Sequence, residues 1–283
     1  MNLVIQHPAL SRTVLDSIAT ELGAPALANS PFAARFAAPA GFDRAALDSL
    51  SATHRVDAAL VPAGRRLADY RLIAFDMDST LINIECVDEI ADFAGRKAEV
   101  AAITEAAMQG VITDYKESLR QRVALLRGVP VSHMEQVLRE RMQYTPGAQA
   151  LVAACRSAGL ATLLVSGGFT YFARPVQAAL GIQFSRSNLL EVANGHLTGR
   201  MVDQDWGDIC DGAEKRRTLL ELAALMGISA SQTIAVGDGA NDLPMMEAAG
   251  LSVAYRAKPS VRAQAQVAIN TGGLDRLLEV VQP

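Results

Sequence analysis

Three short apolar runs, each halted by a polar or glycine-rich signature, constrain this chain more than any other feature. The first, Leu72-Ile73-Ala74-Phe75, stops at Asp76. The second, residues 161–165, stops at Ser166-Gly167-Gly168, and the third, 233–236, at Gly237-Asp238-Gly239. Runs this short and apolar on both faces suit buried parallel strands. Helical patterns separate them, at 148–158, 171–180 and 214–226. Strand alternating with helix predicts an α/β core with a doubly wound parallel sheet. Ligands of such sheets bind beyond the carboxyl ends of the strands, where the polar residues of this chain collect.

The rest of the chain decorates that core. Residues 1–65 read as a small α/β module: strand, helix, extended stretch, helix, strand. The polar stretch 64–71 reads as a linker. Residues 85–144 are mostly amphipathic helix, punctuated by Gly95, Gly110 and Gly128-Val129-Pro130. They follow the first core strand and are placed to cover the crevice as a cap. Residues 183–203 alternate around Asn194-Gly195, a two-residue hairpin signal. The predicted division is therefore 1–65, a core of 66–84 and 145–283, and a cap of 85–144.

Of 283 residues, 50% are hydrophobic, enough for a sizeable core. The net charge of −4 argues against a nucleic-acid surface. No apolar window of about 18 residues predicts a membrane span, and the N-terminus lacks a secretory pattern, so a cytoplasmic location is expected. Cys86, Cys155 and Cys210 have no disulfide or metal-ligand spacing and read as plain buried thiols.

The chemistry sits at the strand ends. Asp76-Met77-Asp78-Ser79-Thr80 places two carboxylates two residues apart, and Gly237-Asp238-Gly239-Ala240-Asn241-Asp242 places two more four apart. Either segment alone fits an ordinary capped or glycine-rich turn. Four aspartates at one sheet edge repel one another unless a cation sits among them. Oxygen ligands select a hard ion, and a site shared with phosphate favours Mg²⁺. Ser166-Gly167-Gly168 offers a hydroxyl and backbone N–H groups to phosphate oxygens. Lys215 falls in the first turn of a helix, where the dipole disfavours a cation, so it has an anion to meet. Arg216 and Arg217 read as solvated surface.

The order DxDST, SGG, Lys, GDGAND resembles the haloacid-dehalogenase superfamily of phosphatases, with a Rossmann-like core, and within it the phosphoserine phosphatases. The likeness spans residues 71–283. It implies that Asp76 is the nucleophile, forming an aspartyl-phosphate, and that Asp78 is the general acid and base. It implies Mg²⁺ on the Asp76 side chain, the Asp78 backbone carbonyl and Asp238, with Asp242 orienting metal-bound water. Ser166, Gly167, Gly168, Lys215 and Asn241 would hold the phosphate.

Substrate choice is expected from the cap. Tyr115, Leu119, Val123 and Leu126 form an apolar stripe that includes Arg122, whereas Arg120 lies about 200° around the helix from Arg122. An inward arginine calls for a carboxylate. In the resemblance, Glu85 and Arg122 meet the amine and carboxylate of phosphoserine, and Met108 and Tyr115 close the pocket. Asp88, Asp92 and His133 read as surface residues. The alternative substrate is another small monophosphate such as phosphohomoserine. A catalytically silent binding protein on the same fold would lack turnover, and intact Asp76 and Asp78 argue against it. For residues 1–65 the resemblance suggests a shortened or diverged ACT-like module, with packing or homodimer formation weighed at least equally with regulation as its role.

Overall fold

A computed structural model describes residues 1–108 and 112–281, apart from the side chain of Met108. Gly110 and that side chain lie outside the described residues. Four strands come first: β1 (Asn2–Gln6), β2 (Ala28–Asn29), β3 (Ala33–Ala37) and β4 (Asp57–Val61). They form an antiparallel sheet in the order β2-β3-β1-β4. Alternation along β1 sends Leu3 and Ile5 to one face and Val4 to the other. The helices Arg12–Leu22 and Arg44–His54 cover the first face, burying Ile18, Leu47 and Leu50 against it. Each helix opens on a capping side chain, Ser11 and Asp43 respectively, as such starts require.

The second face is not free. Val4, Ala59 and Val61 join the main hydrophobic core, with Leu67 and Tyr70. The stretch 64–71 is therefore not the loose linker its polarity suggested. Leu67 and Tyr70 are each 1% exposed, and the Arg65 guanidinium lies over the Tyr70 ring. Two aliphatic or aromatic anchors outweigh their polar neighbours.

The main sheet contains β5 (Leu72–Phe75), β6 (Ala161–Phe169), β7 (Phe184–Ala193), β8 (His196–Val202), β9 (Thr233–Gly237), β10 (Leu251–Tyr255) and β11 (Val267–Ile269). Their order is β11-β10-β9-β5-β6-β7-β8, parallel except for β8. From β5 the chain winds outward through β6 and β7, then crosses to β9, β10 and β11. The reversal at β5 opens a crevice beyond its carboxyl end. Ile73 and Phe75 face the helices Ala148–Ser157 and Thr170–Leu180, while Leu72 and Ala74 face Gly212–Leu225 and Leu243–Ala248. Burial on both faces explains why β5 carries no polar residue. The 183–203 hairpin turns at Asn194-Gly195, both left-handed (φ 50° and 73°). Beyond the sequence expectation, its first strand joins the main sheet beside β6.

Between β5 and the Ala148–Ser157 helix the described residues form four helices, Cys86–Phe93, Lys97–Met108, Tyr115–Ala124 and Val131–Glu140. Leu119, Val123, Met134 and Val137 are buried among them. Arg141 binds them together, pairing with Glu89 and Asp92 and lying over the Phe93 ring. Asp208, from the loop after β8, receives both Lys116 (2.6 Å) and Arg120 (2.7 Å), which ties the third helix down across the crevice. Among the described residues no helix is long and apolar enough to cross a membrane.

Candidate active site

Asp76 is the first residue past β5. Its N–H donates to the Val236 carbonyl on β9 (2.9 Å), which fixes the turn at the sheet's centre. The side chain is nearly enclosed, 6% exposed. Lys215 Nζ lies 2.7 Å from Asp76 Oδ1 and 2.6 Å from Asp242 Oδ1, and the lysine is completely buried. Burial alone would pull its ammonium down, but the two carboxylates outweigh that and hold it well above its usual value.

Asp242 organises the loop after β9. One oxygen accepts the lysine; the other accepts the N–H groups of Asp238 (3.1 Å) and Gly239 (3.0 Å). Gly237 has no alternative here, because a Cβ would overlap the Asp242 carboxylate. Asp238 is left facing Asp76, with the Thr80 hydroxyl donating to its Oδ1 (3.1 Å). Asn241 sits half-buried on the same loop, its side chain close to Gly239.

Asp76, Asp238 and Asp242 each offer an oxygen within 4.8 Å of the others. Asp76 is pushed up to about 7, first by burial and then by the charge of Asp242. Asp238 is pushed up to about 8, by burial and then by Asp76 and Asp242. Lys215 therefore leaves the cluster short of positive charge. An all-oxygen donor set with that deficit fits a hard divalent cation.

Asp78 points away from this cluster. Its carboxylate accepts from Cys86 N (3.2 Å) and faces Cys86 Sγ (3.0 Å). Burial and then the charge of Glu85 raise it well above the usual carboxylate range. Ser79, in a left-handed turn (φ 55°), donates its hydroxyl to Glu85 (2.6 Å).

The second strand end approaches from β6. Pairing with β7 breaks between Ser166 and Phe169, so Gly167 and Gly168 leave the ladder. Ser166 Oγ accepts the Gly168 N–H (2.9 Å), and its own hydroxyl hydrogen remains to be donated. Neither glycine tolerates a side chain. A Cβ at Gly167 would overlap the Tyr115 hydroxyl, and one at Gly168 would meet Met77 and the Asp78 carboxylate. Tyr115 thus lies directly over the Ser166-Gly167 backbone, and burial raises its phenol.

Arg122 lies on the face of its helix that the apolar periodicity indicated. Its Nε donates weakly to Ser118 O (3.4 Å), and among the described residues no carboxylate is within ion-pair distance. Its charge acts on Glu85 and on Asp88. Arg120 points elsewhere, to Asp208. Of three residues read as surface, Asp92 remains partly exposed, whereas Asp88 and His133 are more enclosed. Asp88 is half-buried with an unpartnered Oδ1, Asp92 pairs with Arg141 and Lys97, and His133 has an unpartnered buried Nδ1 beside Phe93. Asp88 lies in the first turn of its helix, where an acid resembles a dipole partner, so periodicity alone did not reveal its environment.

Other residues escaped the sequence reading. Asn188, fully buried on β7, donates to Gly167 O (2.7 Å) and accepts from Cys210 N (2.8 Å), pinning the Ser166-Gly167 loop. An asparagine inside an otherwise regular strand was the available signal. Cys86 is buried as expected, but its thiol faces Asp78.

A haloacid dehalogenase-like hydrolase model matches residues 73–247, more than half the chain. The chain belongs to the haloacid dehalogenase-like hydrolases. Among members of this family, it is 71% identical over 218 residues to the phosphoserine phosphatase of Albidiferax ferrireducens, covering 77% of this chain and 92% of that protein. Its fold matches a HAD-family hydrolase from Salmonella enterica serovar Typhi with a TM-score of 0.88 and 31% identity, over 99% of this chain and 98% of the other. A substrate-bound phosphoserine phosphatase matches with a TM-score of 0.68 and 35% identity, over 75% of this chain and 99% of the other.

Proposed function

We propose that this chain hydrolyses O-phosphoserine to serine and phosphate through an aspartyl-phosphate on Asp76, the closing step of a serine-forming route. The observation that carries the reading is the meeting of Asp76 and Lys215 at 2.7 Å beneath a cap that presents Glu85 and Arg122. The close relatives that bear the phosphoserine phosphatase name support it.

In this reading an Asp76 carboxylate oxygen attacks phosphorus as the bond to the serine oxygen breaks. Asp78, whose burial favours its protonated form, gives its proton to the departing alkoxide, then takes one from the water that hydrolyses the acyl-phosphate. Lys215, the Ser166 hydroxyl and the Gly167 N–H face the phosphate oxygens, with Asn241 at the rim, while the Gly168 N–H, donated to Ser166 Oγ, orients that hydroxyl. Asp76, Asp238 and the Asp78 carbonyl would hold Mg²⁺, which when bound would supply the positive charge that keeps the nucleophile anionic. Asp242, whose oxygens are spent on Lys215 and the loop, acts behind these ligands. Glu85 takes the substrate amine and Arg122 its carboxylate, while Met108 and Tyr115 close the pocket. Residues 85–144 act as a cap on a core of 66–84 and 145–283, with 1–65 as a packed module.

The test is phosphate release with Mg²⁺ over phosphoserine, phosphothreonine, phosphohomoserine and an aryl phosphate. Phosphoserine should give the highest kcat/KM. A clear preference for another monophosphate would overturn the substrate, and no turnover of any would overturn the activity.

A further inference from the structure

A cavity of 490 Å³ lies between the N-terminal module and the main sheet, and none of its lining residues belongs to the candidate active site. One wall is the Arg44–His54 helix and the start of β4; the other is the Pro259–Arg262 helix and the loop after β11. Three arginines and two aspartates line it, in a chain whose net charge is −4.

Both acids are already used. Asp57 accepts from the N–H groups of Asn270 and Thr271 (2.9 Å each) and from both their side chains (2.8 Å each). Asp48 accepts from Arg44 Nε (2.9 Å). Arg44 is used as well, its remaining nitrogens donating to the carbonyls of Ala265 (2.7 Å) and Arg262 (2.8 Å). The other two arginines differ. Arg262 reaches only the neutral Asn270 Oδ1 (3.2 Å). Arg55 is exposed and, among the described residues, has no acceptor. Two arginines thus line one cavity from opposite walls, and among the described residues neither has a carboxylate within ion-pair distance.

We propose that this groove binds a small ligand carrying a carboxylate or phosphate group, its anion taken by Arg55 and Arg262. Guanidinium forks match both groups, and the space suits a metabolite-sized molecule. The site is for binding and not for chemistry, because its hydroxyls are spent: Ser51 donates to Val56 O and Thr271 to Asp57. An occupant bridges module and sheet, and so holds the two together. The Pro259–Arg262 helix begins directly after Lys258, whose N–H meets Asp238 O (3.4 Å), so this wall of the groove adjoins the acidic loop.

The test uses the full chain and two probes, malonate and methylphosphonate, in thermal unfolding titrations. Arg55→Asn keeps a residue tolerant of the left-handed backbone there (φ 54°), and Arg262→Gln keeps a donor to Asn270. The wild type should show a saturable rise in Tm with at least one probe, and the double variant should lose it while retaining wild-type phosphate release. Malonate alone would mark a carboxylate site and methylphosphonate alone a phosphate site. Equal shifts in both proteins, or no shift with either probe, would overturn the proposal. If the double variant does not fold, Arg55→Asn alone decides the matter by the same comparison.

Discussion

Arg122→Ala should separate substrate recognition from phosphate chemistry. The Arg122 guanidinium is half-buried, has only a weak contact with Ser118 O, and shares its surroundings with Glu85 and Asp88. A substrate carboxylate would therefore be its first close anionic partner. Losing a charge-assisted hydrogen bond at such a site costs about 1.5–3 kcal/mol. That corresponds to roughly one to two decades in affinity. KM for phosphoserine should rise by that factor, while KM for an aryl phosphate, which has no carboxylate, should barely move. Arg120→Ala is the control. It breaks an exposed pair with Asp208, worth about 0.2–1 kcal/mol, so it should slightly loosen the cap for both substrates alike. Steady-state kinetics on both substrates measures this directly. Equal losses on the two substrates in Arg122→Ala would refute the assignment, and a larger selective loss in Arg120→Ala would refute the helix phase.

Three further outcomes follow from the site. In the chelated protein, Asp76 and Asp238 hold extra protons in the folded state between about pH 4, where free carboxylates titrate, and their raised values of about 7 and 8. Folding stability from these groups should therefore fall as pH rises from 5 to 8, and added Mg²⁺ should raise Tm more at pH 8 than at pH 5; a metal-free Tm that climbs over that range would contradict it. Gly167→Ala should lower kcat/KM by forcing Tyr115 off the loop, an overpacking cost of about 1–3 kcal/mol, and Tyr115→Phe in the same chain should restore part of the loss; no restoration would place the damage elsewhere. Lys215→Met should destabilise the metal-free protein by about 3–5 kcal/mol in denaturant titration, because Asp242 loses the partner of a fully buried oxygen; an unchanged midpoint would contradict the pair's importance.

Much of the site was legible because its residues interrupt strong patterns. Asp76, Ser166 and Asp238 each follow a run apolar on both faces, so their position at a sheet edge follows from the strand alone. Lys215 stood out as a cation in the wrong turn of a helix, and Arg122 as a charge within an apolar stripe. What stayed hidden depends on long-range packing. β11 has three residues, too few for any periodicity, and β10 ends in a buried Tyr255 without a signature beyond it. Leu67 and Tyr70 were masked by surrounding charge. Asn188 acts on Gly167 from a different strand, a relation visible only once β6 and β7 pair. The docking of the first four strands onto the core likewise rests on Val4, Ala59 and Val61, whose second buried face no local pattern distinguishes from an exposed one.

The central claim is that Asp76 becomes covalently phosphorylated. The most direct measurement is rapid acid quench during turnover of phosphoserine, followed by borohydride reduction and peptide mass analysis. An aspartyl-phosphate at this position would be reduced to homoserine, so residue 76 should carry that mass change only when substrate and Mg²⁺ are present, and Asp76→Asn should show neither the change nor turnover. Steady turnover with Asp76 unmodified at every quench time, or appreciable activity in Asp76→Asn, would contradict the account.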